Sequence, residues 1–121
     1  MGTLRVLLVD DEVEFVTTIE ERLRLRGIDA EAVTSGADAV RRLEEREFDV
    51  IVVDMKMPGM DGLELLRQIK STRPAARVIL LTGRGSEQES QAGMQQGASE
   101  YLVKPINIDD LIAKMKLAAG H

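Results

Sequence analysis

Residues 48–54 read FDVIVVD, a nearly unbroken apolar run that ends in a carboxylate. A run of Val and Ile without alternating polar positions is typical of a parallel strand that is buried on both faces of a sheet. We predict this strand over residues 48–53. Asp54 follows it directly, where an unpaired buried carboxylate would cost free energy. The segment therefore predicts an α/β fold with a functional carboxylate at the end of a buried strand.

Four further strand-like runs flank this segment, and amphipathic helical patterns separate them. The predicted strands cover residues 4–9, 29–33, 48–53, 78–81 and 101–103. The second run is interrupted by Glu31, which favours an edge strand. Five alternating strand and helix units predict right-handed crossovers and helices on both faces of a parallel sheet, which is a doubly wound α/β fold.

Capping residues and apolar spacing predict the helices. Gly27 suits a left-handed position at the end of the first helix. Ser35 is the predicted N-cap of the second helix, whose inward face should carry Ala37, Val40 and Leu43.

The fourth helix has a thin apolar face. Residues 86–89 read SEQE, a capping-box pattern with Ser86 as the cap. The inward positions carry Ala92, Gly93 and Met94. Weak anchoring predicts an element of low local stability that can move, although an ordinary solvent-exposed helix fits the same sequence.

Length and composition restrict the classes of protein. The 121 residues suit a single domain over residues 1–121. A formal net charge of −5, with two Phe and one Tyr, disfavours direct binding to nucleic acid. The absence of Cys excludes disulfides and thiolate chemistry, and His121 is the single His. No apolar run has the length of a membrane span and no signal-peptide pattern opens the chain, so we expect no membrane contact and a cytoplasmic location.

Complementary side chains follow four of the five predicted strands. They are Asp10, Asp11 and Glu12 after the first, Asp54 after the third, Thr82 after the fourth and Lys104 after the fifth. Doubly wound sheets bind ligands beyond the carboxyl ends of the strands, where the strand order reverses. With the flavodoxin-like order 2-1-3-4-5, the carboxylates of Asp10, Asp11 and Asp54 would share one depression and raise one another's pKa. A hard divalent ion with oxygen ligands, Mg²⁺ or Mn²⁺, is therefore the expected cofactor.

These side chains favour phosphoryl chemistry at Asp54. A bound divalent ion neutralises developing negative charge, and a carboxylate can act as the nucleophile that forms an aspartyl phosphate. Lys104 and Thr82 offer a cation and a hydroxyl to the phosphoryl oxygens. Taken singly, Asp10 or Asp11 could be a helix N-cap, Thr82 a turn residue and Lys104 a surface charge. Their joint placement at four strand ends favours a site.

The same residues lie in motifs by which the chain resembles the receiver domain of two-component response regulators over nearly its whole length. The motifs are residues 9–12 (VDDE), 53–62 (VDMKMPGMDG), 81–83 (LTG) and 101–105 (YLVKP). Together and in this order they are specific, whereas any one of them alone is weak. The resemblance implies a flavodoxin-like (βα)5 fold and a signalling switch that catalyses only its own phosphorylation and dephosphorylation.

The resemblance assigns the phosphoacceptor and the metal ligands. Asp54 would accept the phosphoryl group from a phosphohistidine of a sensor histidine kinase or a phosphotransfer protein. Asp11 would bind Mg²⁺ directly and Asp10 mainly through water. Asp54 and the backbone carbonyl of Lys56 would complete the protein ligands.

The resemblance also assigns a switch. Thr82 would shift toward the phosphoryl group and Tyr101 would turn inward behind it, changing the surface of the fourth helix, fifth strand and fifth helix. Lys104 would contact a phosphoryl oxygen, and Pro105 would follow through a cis peptide bond. A downstream protein, an output domain of the native chain or a second copy in a homodimer would bind that surface. No output domain is expected within residues 1–121.

Two basic side chains are expected to flank the site. Lys56 is two residues after Asp54, and Arg84 is two residues after Thr82. In the family these positions tune the lifetime of the phosphoryl group. Two basic groups there lead to the hypothesis of a long-lived aspartyl phosphate.

Three other functions remain open at this point. A phosphohydrolase that works through an aspartyl phosphate usually has a second Asp two residues after the nucleophile, where this chain has Lys56. A flavin-binding module needs a Ser/Thr/Gly-rich phosphate loop after the first strand, where residues 10–12 are acidic. A degenerate receiver would act by binding alone, although every expected site residue is present.

Overall fold

Five parallel strands form one sheet in the computed structural model, which describes residues 3–83 and 87–120. The strands are β1 (Arg5–Val9), β2 (Asp29–Val33), β3 (Val50–Asp54), β4 (Val78–Thr82) and β5 (Glu100–Val103). Their order across the sheet is β2-β1-β3-β4-β5, and each neighbouring pair is parallel. The predicted fold class and strand order are therefore confirmed, with β2 at an edge as expected.

The third strand is displaced toward its carboxyl end relative to the prediction of residues 48–53. Asp49 lies before the strand, where its side chain accepts a hydrogen bond from the backbone N–H of Arg5 at 2.8 Å. Asp54 pairs in register with Leu81 and so belongs to β3. Its carboxylate therefore projects from the last residue of a strand that is buried throughout.

Five helices connect and cover the strands. They are α1 (Val13–Leu25), α2 (Gly36–Glu45), α3 (Gly62–Thr72), α4 (Glu87–Gln95) and α5 (Ile108–Ala119). The predicted N-cap of α2 is confirmed, because Ser35 accepts a hydrogen bond from the N–H of Asp38 at 3.1 Å. The predicted cap of α4, Ser86, lies outside the described residues. Among the residues described, no helix combines the length and the apolar character that a bilayer crossing requires.

One inward residue of α2 was predicted wrongly, whereas Leu43 is buried and Val40 is partly buried as expected. Ala37 is exposed, and Ala39 is buried in its place. The inward positions of α2 are Gly36, Ala39 and Leu43, which are three and four residues apart and so share one face of the helix.

Two apolar layers cover the two faces of the sheet. On one face α1 and α5 pack on the strands through Val16, Ile19, Leu23, Leu111 and Met115. On the other face α2 and α3 pack through Ala39, Leu43, Leu65, Leu66 and Ile69. Successive residues of β3 and β4 alternate between the two layers. With both faces covered, the carboxyl edge of the sheet is where polar side chains can meet.

The anchoring of α4 is thin, as expected. Within residues 88–95 the buried positions are Ser90 and Gly93, and Met94 is 38% exposed. A Cβ atom at Gly93 would overlap Cδ1 of Leu80. The helix therefore approaches β4 at a residue without a side chain.

Candidate functional site

The carboxyl ends of four strands bring polar side chains to one edge of the sheet. Asp10 follows β1, Asp54 ends β3, Thr82 ends β4 and Lys104 follows β5. Backbone hydrogen bonds extend the ladders to these positions: the N–H of Lys104 donates to the carbonyl of Thr82 at 2.8 Å, and that of Asp10 donates to the carbonyl of Val33 at 3.2 Å. The backbone thus fixes where these side chains begin.

Three carboxylates meet at this edge. Asp10, Glu12 and Asp54 each place an oxygen atom within 4.8 Å of the others. Asp10 and Asp54 are only 1% and 6% exposed. Oδ1 of Asp10 accepts a hydrogen bond from the N–H of Glu12 at 2.9 Å, and Oδ1 of Asp54 accepts one from the N–H of Lys56 at 3.3 Å. The two buried carboxylates are therefore oriented by the loops that follow their strands.

The membership of this group differs from the predicted trio of Asp10, Asp11 and Asp54. Glu12 lies in the close group, and Asp11 is half-buried beside it. Asp11 is near enough for its charge to contribute to the raised pKa of Asp54. Glu12 immediately precedes α1, and its backbone N–H is tied to Asp10. The acidic stretch of residues 10–12 was visible in the sequence, but the direction of each side chain was not.

The ammonium group of Lys104 lies among the carboxylates. Its Nζ atom is 3.0 Å from Oδ2 of Asp10, 3.0 Å from Oε1 of Glu12 and 3.7 Å from Oδ2 of Asp54. It also lies 4.7 Å from the centre of the Phe15 ring. Burial alone would lower the pKa of Lys104, but the hydrogen bonds to Glu12 and Asp10 outweigh it and raise the pKa. The group therefore remains a cation and partly balances the acidic charge.

The surroundings of Asp54 destabilise the charged form of its carboxyl group. Burial raises its pKa to about 6, and the neighbouring carboxylate of Asp10 adds to the rise, while Lys104 and the N–H of Lys56 oppose it. The negative charge is thus costly where it stands. A cation or a change of charge at this carboxylate would relieve that cost.

Thr82 carries a buried hydroxyl that has no hydrogen-bond partner among the described residues. The residue is 1% exposed and follows Leu81, the register partner of Asp54. An unsatisfied buried hydroxyl costs free energy and needs a specific reason. Its place near Asp54 suits a hydroxyl that gains a hydrogen-bond partner when a ligand binds at this carboxylate.

The loop between β3 and α3 brings Gly62 against the backbone of Asp54 and Met55. The N–H of Gly62 donates to the carbonyl of Met55 at 2.9 Å. A Cβ atom at Gly62 would lie 2.6 Å from both the carbonyl oxygen of Asp54 and Cα of Met55. Only glycine fits such an approach between backbones. Asp61 caps α3 by accepting a hydrogen bond from the N–H of Glu64 at 2.8 Å.

The remaining predicted residues lie around this group. The side chain of Lys56 is 70% exposed, and its Nζ is 4.0 Å from Oε1 of Glu89 on α4. Tyr101 is half-buried on β5 and packs against the α2/α3 layer. The peptide bond between Lys104 and Pro105 is cis, as expected. The last predicted residue, Arg84, lies outside the part of the chain that the structure describes.

Comparison with known proteins identifies the family. The family model described as the response regulator receiver domain matches residues 6–116. The chain belongs to this family. It is 34% identical over 116 residues to the transcriptional regulatory protein ZraR of Escherichia coli O157:H7, covering 96% of the chain and 26% of that relative. It is 36% identical over 112 residues to PrrA of Mycobacterium tuberculosis, covering 93% of the chain and 48% of that relative. The chain thus spans about a quarter to a half of these curated relatives.

Solved receiver domains have the same fold. A response regulator receiver domain protein from Clostridium thermocellum superposes with a TM-score of 0.92 at 34% identity, covering 97% of this chain and 94% of that one. The receiver domain of NtrX from Brucella abortus gives a TM-score of 0.91 at 26% identity, covering 95% and 98%. The flavodoxin-like assignment is thereby confirmed.

As a receiver domain of two-component response regulators, the chain belongs to a family of signalling switches that bind Mg²⁺ at an acidic pocket. This membership favours a receiver over the flavin-binding and phosphohydrolase alternatives. The residues present fit such an ion. The close group of Asp10, Glu12 and Asp54 offers the oxygen donors that hard divalent ions prefer, and burial together with the charge of Asp10 raises the pKa of Asp54.

Proposed function

We propose that this receiver domain is a phosphoacceptor in a two-component phosphorelay, and that Asp54 takes the phosphoryl group from a phosphohistidine of a sensor histidine kinase or a phosphotransfer protein. The observation that carries the proposal is the buried Asp54 carboxylate, with a raised pKa, close to both the carboxylate of Asp10 and the ammonium group of Lys104. Phosphoryl transfer depends on positioning and charge, and this arrangement supplies both.

Mg²⁺, or Mn²⁺, is the proposed cofactor. The carboxylates of Asp10, Asp11 and Asp54 and the backbone carbonyl of Lys56 would hold it. When bound, the ion supplies positive charge that reduces the repulsion between these carboxylates and the phosphoryl oxygens.

The carboxylate of Asp54 acts as the nucleophile. One of its oxygens forms a bond to phosphorus while the bond from phosphorus to the donor imidazole nitrogen breaks, and that nitrogen keeps the electron pair. The carboxylate must be ionised for this step. A pKa of about 6 leaves it ionised at neutral pH, and the hydrogen bond from Lys56 N–H to Oδ1 holds its orientation.

Lys104 and Thr82 are proposed to bind phosphoryl oxygens. The Nζ atom of Lys104 already lies 3.7 Å from Asp54, and the Thr82 hydroxyl is without a partner among the described residues. A phosphoryl group would offer acceptors to both. We further propose that Tyr101 turns inward as Thr82 shifts, which changes the surface formed by α4, β5 and α5.

That surface is the proposed output. It would bind a downstream protein, an output domain joined to the receiver in the native chain or a second copy of the receiver, with the whole relay in the cytoplasm. The long lifetime hypothesised from Lys56 and Arg84 belongs to the same proposal. Loss of the phosphoryl group within seconds at neutral pH, without a phosphatase, would contradict it.

Phosphorylation by a small acyl phosphate tests the proposed function. The purified protein is incubated with Mg²⁺ and acetyl phosphate, and its intact mass is measured. One added phosphoryl group is expected, and Asp54→Ala should abolish the addition.

A matched control keeps the test specific. Asp61→Asn removes a nearby carboxyl charge but keeps an oxygen that can cap α3, so phosphorylation should persist. If Asp54→Ala is still phosphorylated, the proposed acceptor is wrong. If the wild type is never phosphorylated, the chain is a receiver that acts by binding alone.

A further inference from the structure

The ammonium group of Lys104 is closer to the β1 side of the site than to Asp54. Asp10 and Glu12 take the two contacts of 3.0 Å, whereas the contact to Asp54 is 3.7 Å. An ammonium group has three hydrogens and forms its strongest bonds at about 2.7–2.9 Å to carboxylates. In this arrangement Lys104 is therefore bound to Asp10 and Glu12 and held back from the phosphoacceptor.

Glu12 differs from the two buried carboxylates. Its side chain is 63% exposed, whereas those of Asp10 and Asp54 are 1% and 9% exposed. Solvent could hydrate this carboxylate in many other orientations. Its direction over the site is therefore set by Lys104, the cation it contacts, and not by burial.

Phe15 helps to define the same position. The Nζ atom of Lys104 lies 4.7 Å from the centre of its ring, within the range of a cation–π contact. Phe15 lies in the first turn of α1, separated from Glu12 by Val13 and Glu14. One short segment thus supplies a carboxylate and a ring face that together receive the ammonium group.

We propose that Glu12 is a positioning residue that draws the Lys104 ammonium away from Asp54 and toward α1, which leaves the Asp54 carboxylate available to a divalent cation. The inference rests on the proposed function. Without the Glu12 charge, Lys104 would settle more closely on Asp10 and Asp54, and the divalent cation would have to compete with it there. Glu12 thus sets the affinity of the site for the cation through Lys104.

The test is a double-mutant cycle on Mg²⁺ affinity, measured by calorimetric titration of the protein without a phosphoryl donor. Glu12→Gln should weaken Mg²⁺ binding about fivefold in the wild type, the factor expected for one partly exposed ion pair. In a Lys104→Met background the same change should weaken it less than about twofold. Glu14→Gln removes one exposed negative charge from the first turn of α1, and its affinity should match that of the wild type.

Equal effects of Glu12→Gln in both backgrounds would mean that Glu12 acts directly on the cation, and no effect in either would remove its role. Both results overturn the proposal. A second measurement avoids any substitution at Lys104: in the metal-free protein Glu12→Gln should slow hydrogen exchange of the Lys104 ammonium in NMR spectra, because the group moves from an exposed carboxylate toward the buried Asp54. An unchanged or faster rate would also overturn the proposal.

Phosphorylation separates the two ideas. If Asp54 of Glu12→Gln accepts a phosphoryl group from acetyl phosphate while Mg²⁺ affinity is unchanged, the role of Glu12 fails and the proposed function stands. If wild-type Asp54 is not phosphorylated, the proposed function itself fails.

Discussion

The two edges of the sheet are held in different ways. At the β2 edge, Nε of Arg24 donates to the carbonyl of Ala30 at 2.9 Å, and Oε2 of Glu20 accepts from the N–H of Ala32 at 2.7 Å. Glu20 and Arg24 also pair with each other at 3.3 Å. Side chains from α1 therefore occupy backbone groups that an edge strand normally leaves free.

Ion pairs from α2 add to this closure. Glu31 on β2 accepts hydrogen bonds from Arg42 and Arg46, and Arg46 also pairs with Asp29. The hydrogen bond from Arg42 is the main reason that the pKa of Glu31 lies below its usual range. Side chains of α1 and of the C-terminal end of α2 thus bind β2 on the side that faces away from β1.

The β5 edge is held more lightly in the part of the chain that the structure describes. Val103 is 44% exposed, and Glu100 pairs with Lys114 of α5 at 3.4 Å. The neighbouring α4 is anchored through Ser90 and Gly93 instead of large apolar side chains. A switch needs an element with two arrangements of similar free energy. The β5 side is therefore better suited to move than the β2 side.

The largest loss of stability is expected in the centre of the sheet, between the two edges. Gly62→Ala should lower the free energy of unfolding by about 3 kcal/mol, because its Cβ atom would meet the backbone of Asp54 and Met55. Gly83→Ala is the control, since within the described residues, its own sequence neighbours apart, nothing lies within 4 Å of its Cβ position. Urea unfolding measures both. Equal losses of unfolding free energy in the two variants would show that the close approach at Gly62 does not stabilise the central strands.

Opening the β2 edge is expected to cost about 2 kcal/mol. Glu20→Ala removes the acceptor of the Ala32 N–H and the ion-pair partner of Arg24. Glu21→Ala changes the neighbouring exposed residue of the same helix and should have little effect. The two variants are compared by urea unfolding. If they lose the same stability, α1 does not clamp this edge.

Removing the charge of Asp54 should stabilise the protein in the absence of divalent ions, by about 1 to 2 kcal/mol at pH 7.5. Its pKa is raised to about 6 by burial, so ionisation favours the unfolded chain. The penalty is absent below about pH 4, the pKa of an unfolded Asp, and grows as the pH rises to about 6. Asp54→Asn should therefore gain stability only across and above this window.

Thermal unfolding of Asp54→Asn at pH 3.5 and pH 7.5 measures that gain. Asp61→Asn, which keeps an oxygen at the cap of α3, is the control. A gain of the same size at both pH values would rule out the strained charge as its cause.

The smallest effect is expected at the β5 edge. Glu100→Ala breaks the pair with Lys114, whose partners are 31% and 34% exposed, and should cost less than about 0.5 kcal/mol. Its urea unfolding is compared with that of Glu20→Ala. A loss as large as that of Glu20→Ala would erase the contrast between the edges.

The sequence predicts the fold well because the signals for buried strands are local. Continuous runs of Val and Ile in β3 and β4 and a capping residue such as Ser35 are sufficient to predict the strand and helix order. The face of α2 was misassigned at Ala37, because the phase of a short helix depends on how it docks on the sheet.

The sequence predicted which residues of the candidate site lie at the ends of the strands. Asp54, Thr82 and Lys104 follow from the positions of the strands. The close contact of Glu12 with Lys104 does not, because the two residues are far apart in sequence and their side chains are directed by tertiary packing. The side-chain clamp on β2 is likewise a product of how α1 lies across the sheet.

The position of the phosphoryl group is the sharpest test of Asp54 as the phosphoacceptor. The protein is phosphorylated with Mg²⁺ and acetyl phosphate, and borohydride then reduces any aspartyl phosphate to homoserine, whose position is read by tandem mass spectrometry. We expect homoserine at position 54, with Asp10 and Asp11 unchanged. Homoserine at any other position, or none at position 54 of a protein that has gained a phosphoryl group, would contradict it.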